Sequence, residues 1–254
     1  MASFLNWFTG NTKKHYDPVQ QFGLNKKGRD FVVGDVHGMF TALKDLLVEV
    51  SFDEKVDRLF SLGDLIDRGS ESEQAIEWWS KPWFYAILGN HEDMLQRREE
   101  MHAVWHANGG QWWMRIQKDD RHAYDEPVSQ LPIVIEIETA SGSVGLVHAD
   151  LLGNDWKIFC DKIRAKDAQA RKVALWSRIR IDGLKRGEKA FKIDNIDQVY
   201  IGHSVVEECS AFENLNFIDT GACYLKTESA KLSLVQIHPY VQSFKKFTSA
   251  QFGE

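Results

Sequence analysis

Gly34-Asp35-Val36-His37-Gly38, set directly behind the apolar run Phe31-Val32-Val33, decides how the first third of this 254-residue chain folds. The same arrangement returns twice. Leu59 to Leu62 runs into Gly63-Asp64-Leu65-Ile66-Asp67-Arg68-Gly69, and Tyr85 to Leu88 runs into Gly89-Asn90-His91-Glu92. Short apolar runs ended by glycine read as buried strands, and the intervening stretches Phe40 to Val50 and Glu71 to Trp79 have helical spacing. A βαβαβ order implies a parallel sheet that gathers its polar residues at the carboxyl ends of the strands.

Beyond residue 130 the pattern changes. Ile133 to Glu138 alternates apolar and acidic residues, Ser141-Gly142 turns the chain, and Val144 to Val147 runs back as a hairpin. Further strands are expected at Gln198 to Ile201, Leu215 to Ile218 and Leu232 to Ile237, with one helix over Asp161 to Trp176. Five prolines and no Gly/Ser-rich linker give no reason to divide the chain. The fold class is therefore α/β, a sandwich of two mixed β-sheets flanked by helices.

Composition narrows the function. With 31 Lys and Arg against 37 Asp and Glu the formal charge is −6, and 43% of residues are hydrophobic. That balance fits a globular protein and argues against a nucleic-acid partner. Three widely spaced cysteines, Cys160, Cys209 and Cys223, form no C-x-x-C pair, so free thiols in a reducing compartment are expected. The start lacks the basic and apolar regions of a secretory signal, and no run reaches the roughly 18 apolar residues of a spanning helix. The expected location is the cytoplasm, with no membrane contact.

Chemistry concentrates at the three strand ends and at two later histidines, His148 in Val-His-Ala-Asp and His203 in Ile-Gly-His-Ser. Asp and His two apart on a tight turn can face one cation, and a second carboxylate can bridge two, having two oxygens. Mixed His, Asp and Asn ligation without cysteine suits Mn²⁺, Fe or Zn²⁺. The reading assigns Asp35, His37 and Asp64 to one ion, and Asp64, Asn90, His148 and His203 to the other.

In this order GDVHG, GDLIDRG and GNHE, with Pro82-Trp83-Phe84, Asn108-Gly109-Gly110, Leu175-Trp176-Ser177-Arg178 and Ile218-Asp219-Thr220-Gly221, resemble the metallophosphoesterases of the phosphoprotein phosphatase type, above all their phage and bacterial branch. The resemblance implies a calcineurin-like sandwich with a dinuclear metal site, most simply two Mn²⁺ ions, in a catalytic domain over 28–254 preceded by an N-terminal extension, 1–27. It makes His91 the proton donor oriented by Asp67, and Arg68 and Arg178, with Asn90, the groups that bind phosphate. The implied reaction is in-line attack on phosphorus by a metal-bridging hydroxide, with no covalent phosphoenzyme. The substrate would be phosphoserine or phosphothreonine in a protein or peptide, with phosphotyrosine also open. Leu65-Ile66 and Leu88 depart from the eukaryotic members, whose carboxy-terminal signature is also missing, so no regulatory subunit is inferred.

Other features compete for roles. Lys157 to Lys192 holds 12 Lys and Arg against 4 Asp and Glu, either a basic lip beside Arg178 that attracts anionic substrates or a solvated face. Asp150, two residues after His148, is either an orienting partner for a ligand imidazole or a turn residue. His102 and His106 lie four apart without an evident third ligand, and Trp78, Trp79, Trp83, Trp105, Trp112 and Trp113 read as core or groove wall before nucleobase platform. Two alternatives stand beside the protein phosphatase: a hydrolase of dinucleoside polyphosphates or other small phosphoesters, and a non-catalytic phosphate-binding module. Gly69-Ser70-Glu71 and Glu92 favour the protein phosphatase, because relatives that cleave diadenosine tetraphosphate typically read Ala-Arg-Gly-Pro-Gly and end the third motif in Asp. His91 with Asp67 disfavours the binding module.

Overall fold

The computed structural model describes residues 16–224, 230–239 and 247–248. Among these residues eleven strands form two mixed sheets. In chain order they are β1 (Val19–Phe22), β2 (Asp30–Val33), β3 (Arg58–Ser61), β4 (Phe84–Ala86), β5 (Val134–Thr139), β6 (Gly142–Val147), β7 (Gln198–Ile201), β8 (Ser210–Phe212), β9 (Leu215–Phe217), β10 (Ser233–His238) and β11 (Phe247–Thr248). One sheet runs β1-β5-β6-β7-β9-β8 and the other β11-β10-β2-β3-β4. As the first motifs predicted, β2, β3 and β4 are parallel neighbours. Strands β5 and β6 form the expected antiparallel hairpin, and β6, β7 and β9 are parallel to one another.

Alternation along the strands builds two apolar layers. Val32 and Phe60 pack between the sheets with Ile135, Ile137, Leu146, Tyr200 and Val235. Their neighbours Phe31, Val33 and Leu59 turn to the other side and join the helical layer. That layer is led by α1 (Phe40–Glu49), which buries Phe40, Leu43, Leu46 and Leu47, one face of a 3.6-residue period. Burial on both faces is why β2 and β3 read as continuous apolar runs. The remaining helices are α2 (Ala75–Trp79), α3 (Asn90–Gln96), α4 (His102–Ala107), α5 (His122–Ser129), α6 (Trp156–Arg164), α7 (Ala168–Trp176) and α8 (Ile179–Lys185).

Two expectations are corrected. The helix read over Asp161 to Trp176 is two helices: Lys166 takes a left-handed φ of 58°, and Asp167 caps a fresh start by accepting from Ala170 N at 2.8 Å. Residues 19–22, read as part of the extension 1–27, form β1 parallel to β5. Val19 is buried there and Phe22 meets the rings of Phe60 and Tyr85, so the sandwich begins before residue 28. The first fifteen residues lie outside the described part. No helix among the described residues is long and apolar enough to cross a membrane.

Candidate metal centre and proton donor

Every sequence-selected ligand follows a strand of one sheet or the other. Asp35 and His37 follow β2, Asp64 follows β3, Asn90 opens α3 beyond β4, His148 follows β6 and His203 follows β7. Carboxyl ends of parallel strands from both sheets thus meet at one place. His37, Asp64 and His203 turn there with left-handed φ of 45°, 49° and 62°, a conformation costly outside glycine and kept where the surrounding structure demands it.

Two groups of donor atoms converge, each within 4.8 Å: His37, Asp64 and His91, and Asp64, His148 and His203, all buried. Asp64 belongs to both, as the shared carboxylate of the sequence reading. Asp35 falls in neither group. Both its oxygens accept from His203 N at 3.1 and 3.0 Å, while burial, Asp219 and Asp64 hold its carboxyl well above the usual range. Asn90 Oδ1 lies 2.9 Å from both His148 Nε2 and His203 Nδ1.

The donor chemistry fits divalent cations. His37 Nδ1 donates to Ile66 O at 2.9 Å and His148 Nδ1 to Leu62 O at 2.7 Å, which leaves a lone pair on each Nε2 turned into the centre. His148 Nε2 faces the oxygen of Asn90 and, at 3.5 Å, that of Asp64. Lone pairs pointed at one another in a buried site call for a cation between them. Burial and His91 push His37 well below its ordinary value, and burial with His148 takes His203 down to about 2, so both are neutral ligands at pH 7. Burial would raise Asp64, but His148, His91, His37 and His203 together hold it far below the carboxylate range. Arg68 Nη1 donates to the His37 Nε2 lone pair at 2.7 Å, a permanent cation on the atom offered to a metal.

Beside this cluster lies a dyad. His91 Nδ1 donates to Asp67 Oδ2 at 2.6 Å, both residues fully buried. His91 Nε2 is 3.8 Å from Asp64 Oδ2 and is buried without a hydrogen-bond partner, so it faces the centre as an available proton site. Burial pulls the imidazolium down, but Asp64 and Asp67 outweigh it and raise His91 above its ordinary value. Arg178 Nη1 donates to Ser204 Oγ at 3.1 Å, beside His203. The guanidiniums of Arg68 and Arg178 both act on buried Asp219, whose carboxyl burial lifts to about 6.

Four residues take roles that the sequence reading left open or did not see. Asp150 makes no hydrogen bond to His148: it accepts from Arg180 Nε at 2.7 Å and from Leu151 N at 2.7 Å, while His148 Nδ1 donates to Leu62 O. Glu92 is a structural clip, its carboxylate accepting from Asp64 N and Leu65 N at 2.8 Å and from Gly89 N at 3.1 Å, which ties the second motif to the third. Trp105 and Trp112 are not mere groove wall. Their indole N–H groups donate to Asp67, a role that sequence reading missed.

The remaining candidates have structural settings. His102 and His106 stack at 4.4 Å on α4. The basic stretch 157–192 spends part of its charge locally, with Arg164 on Asp17 and Asp161, Arg171 on Asp93, Arg180 on Asp150 and Arg186 on Glu188.

The family profile described as Calcineurin-like phosphoesterase matches residues 31–207. The Serine/threonine-protein phosphatase 2 of Salmonella typhimurium is 34% identical over 197 residues, covering 76% of this chain and 87% of that protein. A symmetrical bis(5'-nucleosyl)-tetraphosphatase of Serratia proteamaculans is 41% identical over 64 residues, 24% of this chain and 23% of its own. Among solved structures, one described as a candidate diadenosine tetraphosphatase superposes with TM-score 0.62 at 21% identity, covering 92% of this chain and 99% of that one. At that identity the likeness speaks for the fold.

Proposed function

The chain belongs to the calcineurin-like phosphoesterase family, a family of metal-dependent hydrolases, and from that premise we propose that it is a protein phosphatase. Its substrates on this reading are phosphoserine and phosphothreonine in proteins or peptides, with phosphotyrosine a further candidate, and its place of action the cytoplasm. Two observations support it: the long likeness to a named serine/threonine-protein phosphatase, and the buried His91–Asp67 dyad aimed at the cation cluster. The dyad carries the mechanism.

Asp35, His37, Asp64, Asn90, His148 and His203 would hold two divalent ions, Mn²⁺ by preference. When bound, such ions polarise phosphoryl oxygens and bring the pKa of water toward about 7. Arg68, beside His37, and Arg178, beside Ser204, neutralise and orient the phosphate dianion. As the ester bond breaks, the serine or threonine oxygen becomes an alkoxide that needs a proton. His91 Nε2 donates it, while Asp67 accepts from Nδ1 and fixes the ring. Glu92 and the strained turns hold these groups in place before substrate arrives.

The second reading, hydrolysis of dinucleoside polyphosphates, draws on the shorter likeness to tetraphosphatases. Turnover of a phosphoserine peptide and of diadenosine tetraphosphate at equal concentration separates the two. We expect the peptide to be favoured at least about ten-fold, and the reverse order would overturn the proposal. The same assay on a chelated, still folded sample should read near zero and recover with Mn²⁺. Full activity after chelation would end the metal-dependent reading.

A further inference from the structure

We infer that Trp105 and Trp112 are positioning residues for the proton-donating step: their indole N–H groups hold the Asp67 carboxylate as a pure acceptor, in the one orientation that aims His91 Nε2 at the leaving group. The inference rests on the acid role proposed for His91 and adds the residues that make it work.

Asp67 is fully buried and takes four close donor contacts. Oδ1 accepts from Trp112 Nε1 at 2.6 Å and from Trp105 Nε1 at 3.1 Å, while Oδ2 accepts from Trp105 Nε1 at 2.9 Å and from His91 Nδ1 at 2.6 Å. An indole N–H can only donate. A proton on either oxygen would therefore face another hydrogen, so the geometry keeps the shared proton on His91 Nδ1. Rotating the carboxylate would disturb all three donors together. Both indole N–H groups are taken up by Asp67, which is not one of the assigned metal ligands, and this separates the role from metal binding.

The Asn108-Gly109-Gly110 motif gains a physical reason. Trp105 lies within α4 and Trp112 sits in the short helical turn Gly110–Arg115, so both indoles reach one carboxylate only if the chain folds back sharply between them. Gly109 takes φ of 107°, and a Cβ there would fall 2.5 Å from Arg68 N; a Cβ on Gly110 would fall 2.7 Å from the Trp105 ring. Only bare backbone allows the approach. The turn it packs against is itself left-handed, with φ of 72° at Asp67 and 67° at Arg68.

The test uses two esters that differ in their need for a proton. p-Nitrophenyl phosphate leaves as a stable phenolate, whereas a phosphoserine peptide leaves as an alkoxide. Trp112→Phe and Trp105→Phe keep the ring and delete the donor. In the metal-loaded enzyme we expect kcat for the peptide to fall on the order of ten-fold with KM unchanged, while p-nitrophenyl phosphate stays within about two-fold. In a His91→Asn background the same changes should cost the peptide nothing more. Equal losses on both esters, or none, would overturn the inference and mark the tryptophans as packing. If His91→Asn shows the selective loss and the tryptophan variants do not, the inference falls and the acid role stands. If His91→Asn is itself unselective, both fall.

Discussion

Strands β2 and β3 carry buried acids at both ends, and the two ends treat them oppositely. At the amino ends each acid has its own arginine. Asp30 accepts from Arg58 Nε at 2.8 Å and Nη2 at 2.7 Å, and Asp57 accepts from Arg29 Nη2 at 2.5 Å and Arg29 N at 2.7 Å. At the carboxyl ends Asp35 and Asp64 are equally buried, and Arg68 acts on both from beside His37 without forming an ion pair with either. They face imidazoles and each other instead. Residue type and burial are the same, so what marks a functional carboxylate is the lack of an ion-paired arginine of its own. The family's divalent ions are what that end is built to receive.

Substitutions at the two ends should therefore fail in different ways. The largest effect is expected at Asp64→Asn, which keeps the oxygen that accepts from His91 N but removes the shared charge. Losing several kcal/mol of transition-state stabilisation predicts a fall in kcat of about a thousand-fold, while the melting temperature of the metal-free protein holds or rises because a buried unpaired charge is gone. A folded variant with wild-type turnover would break the contrast.

At the opposite end, Arg58→Met strands the Asp30 carboxylate and removes a guanidinium from the faces of Phe22 and Phe60. Urea unfolding should show a loss of about 3 kcal/mol, with kcat per folded molecule within about two-fold. Lost turnover without lost stability would contradict the division of labour.

A smaller effect sharpens the same point through pH. Burial would raise the Asp57 carboxyl, but Arg29 and the amides of Asp53 and Arg29 outweigh it and hold it below its ordinary value. A depressed carboxylate contributes stability above its unfolded pKa of about 3.9 and loses it as pH falls through the folded value. Asp57→Asn should thus be less stable than wild type by about 1 kcal/mol at pH 7, and the gap should close below about pH 4. A gap that persisted in acid would mean the amide fails for steric reasons.

The sequence made one end of this contrast readable and hid the other. An apolar run followed by Gly-Asp or Gly-Asn is a local signal, so the strands that bear Asp35, Asp64 and Asn90 and the residues themselves could be read directly. Asp30 and Asp57 gave no such sign, because their arginines lie 28 residues away in each case. The Asp67 donors sit 38 and 45 residues downstream and depend on a backbone fold-back that no periodicity announces. β1 is four residues long, too short for alternation to show, and its strand character comes from Phe22 meeting Phe60 and Tyr85 across the fold. The break between α6 and α7 had a local cue in Asp167, a good helix cap, set within an otherwise unbroken helical pattern.

Five residues of the centre, His37, Asp64, Asp67, Arg68 and His203, keep their backbone in left-handed territory. Each is a place where glycine would relax the chain by about 1 kcal/mol or more and erase a working side chain. Selection for heat tolerance alone would find these positions rewarding and would drift toward a sturdier, inert protein. Screens for durable variants of this enzyme need turnover as a second gate, with those five codons held fixed.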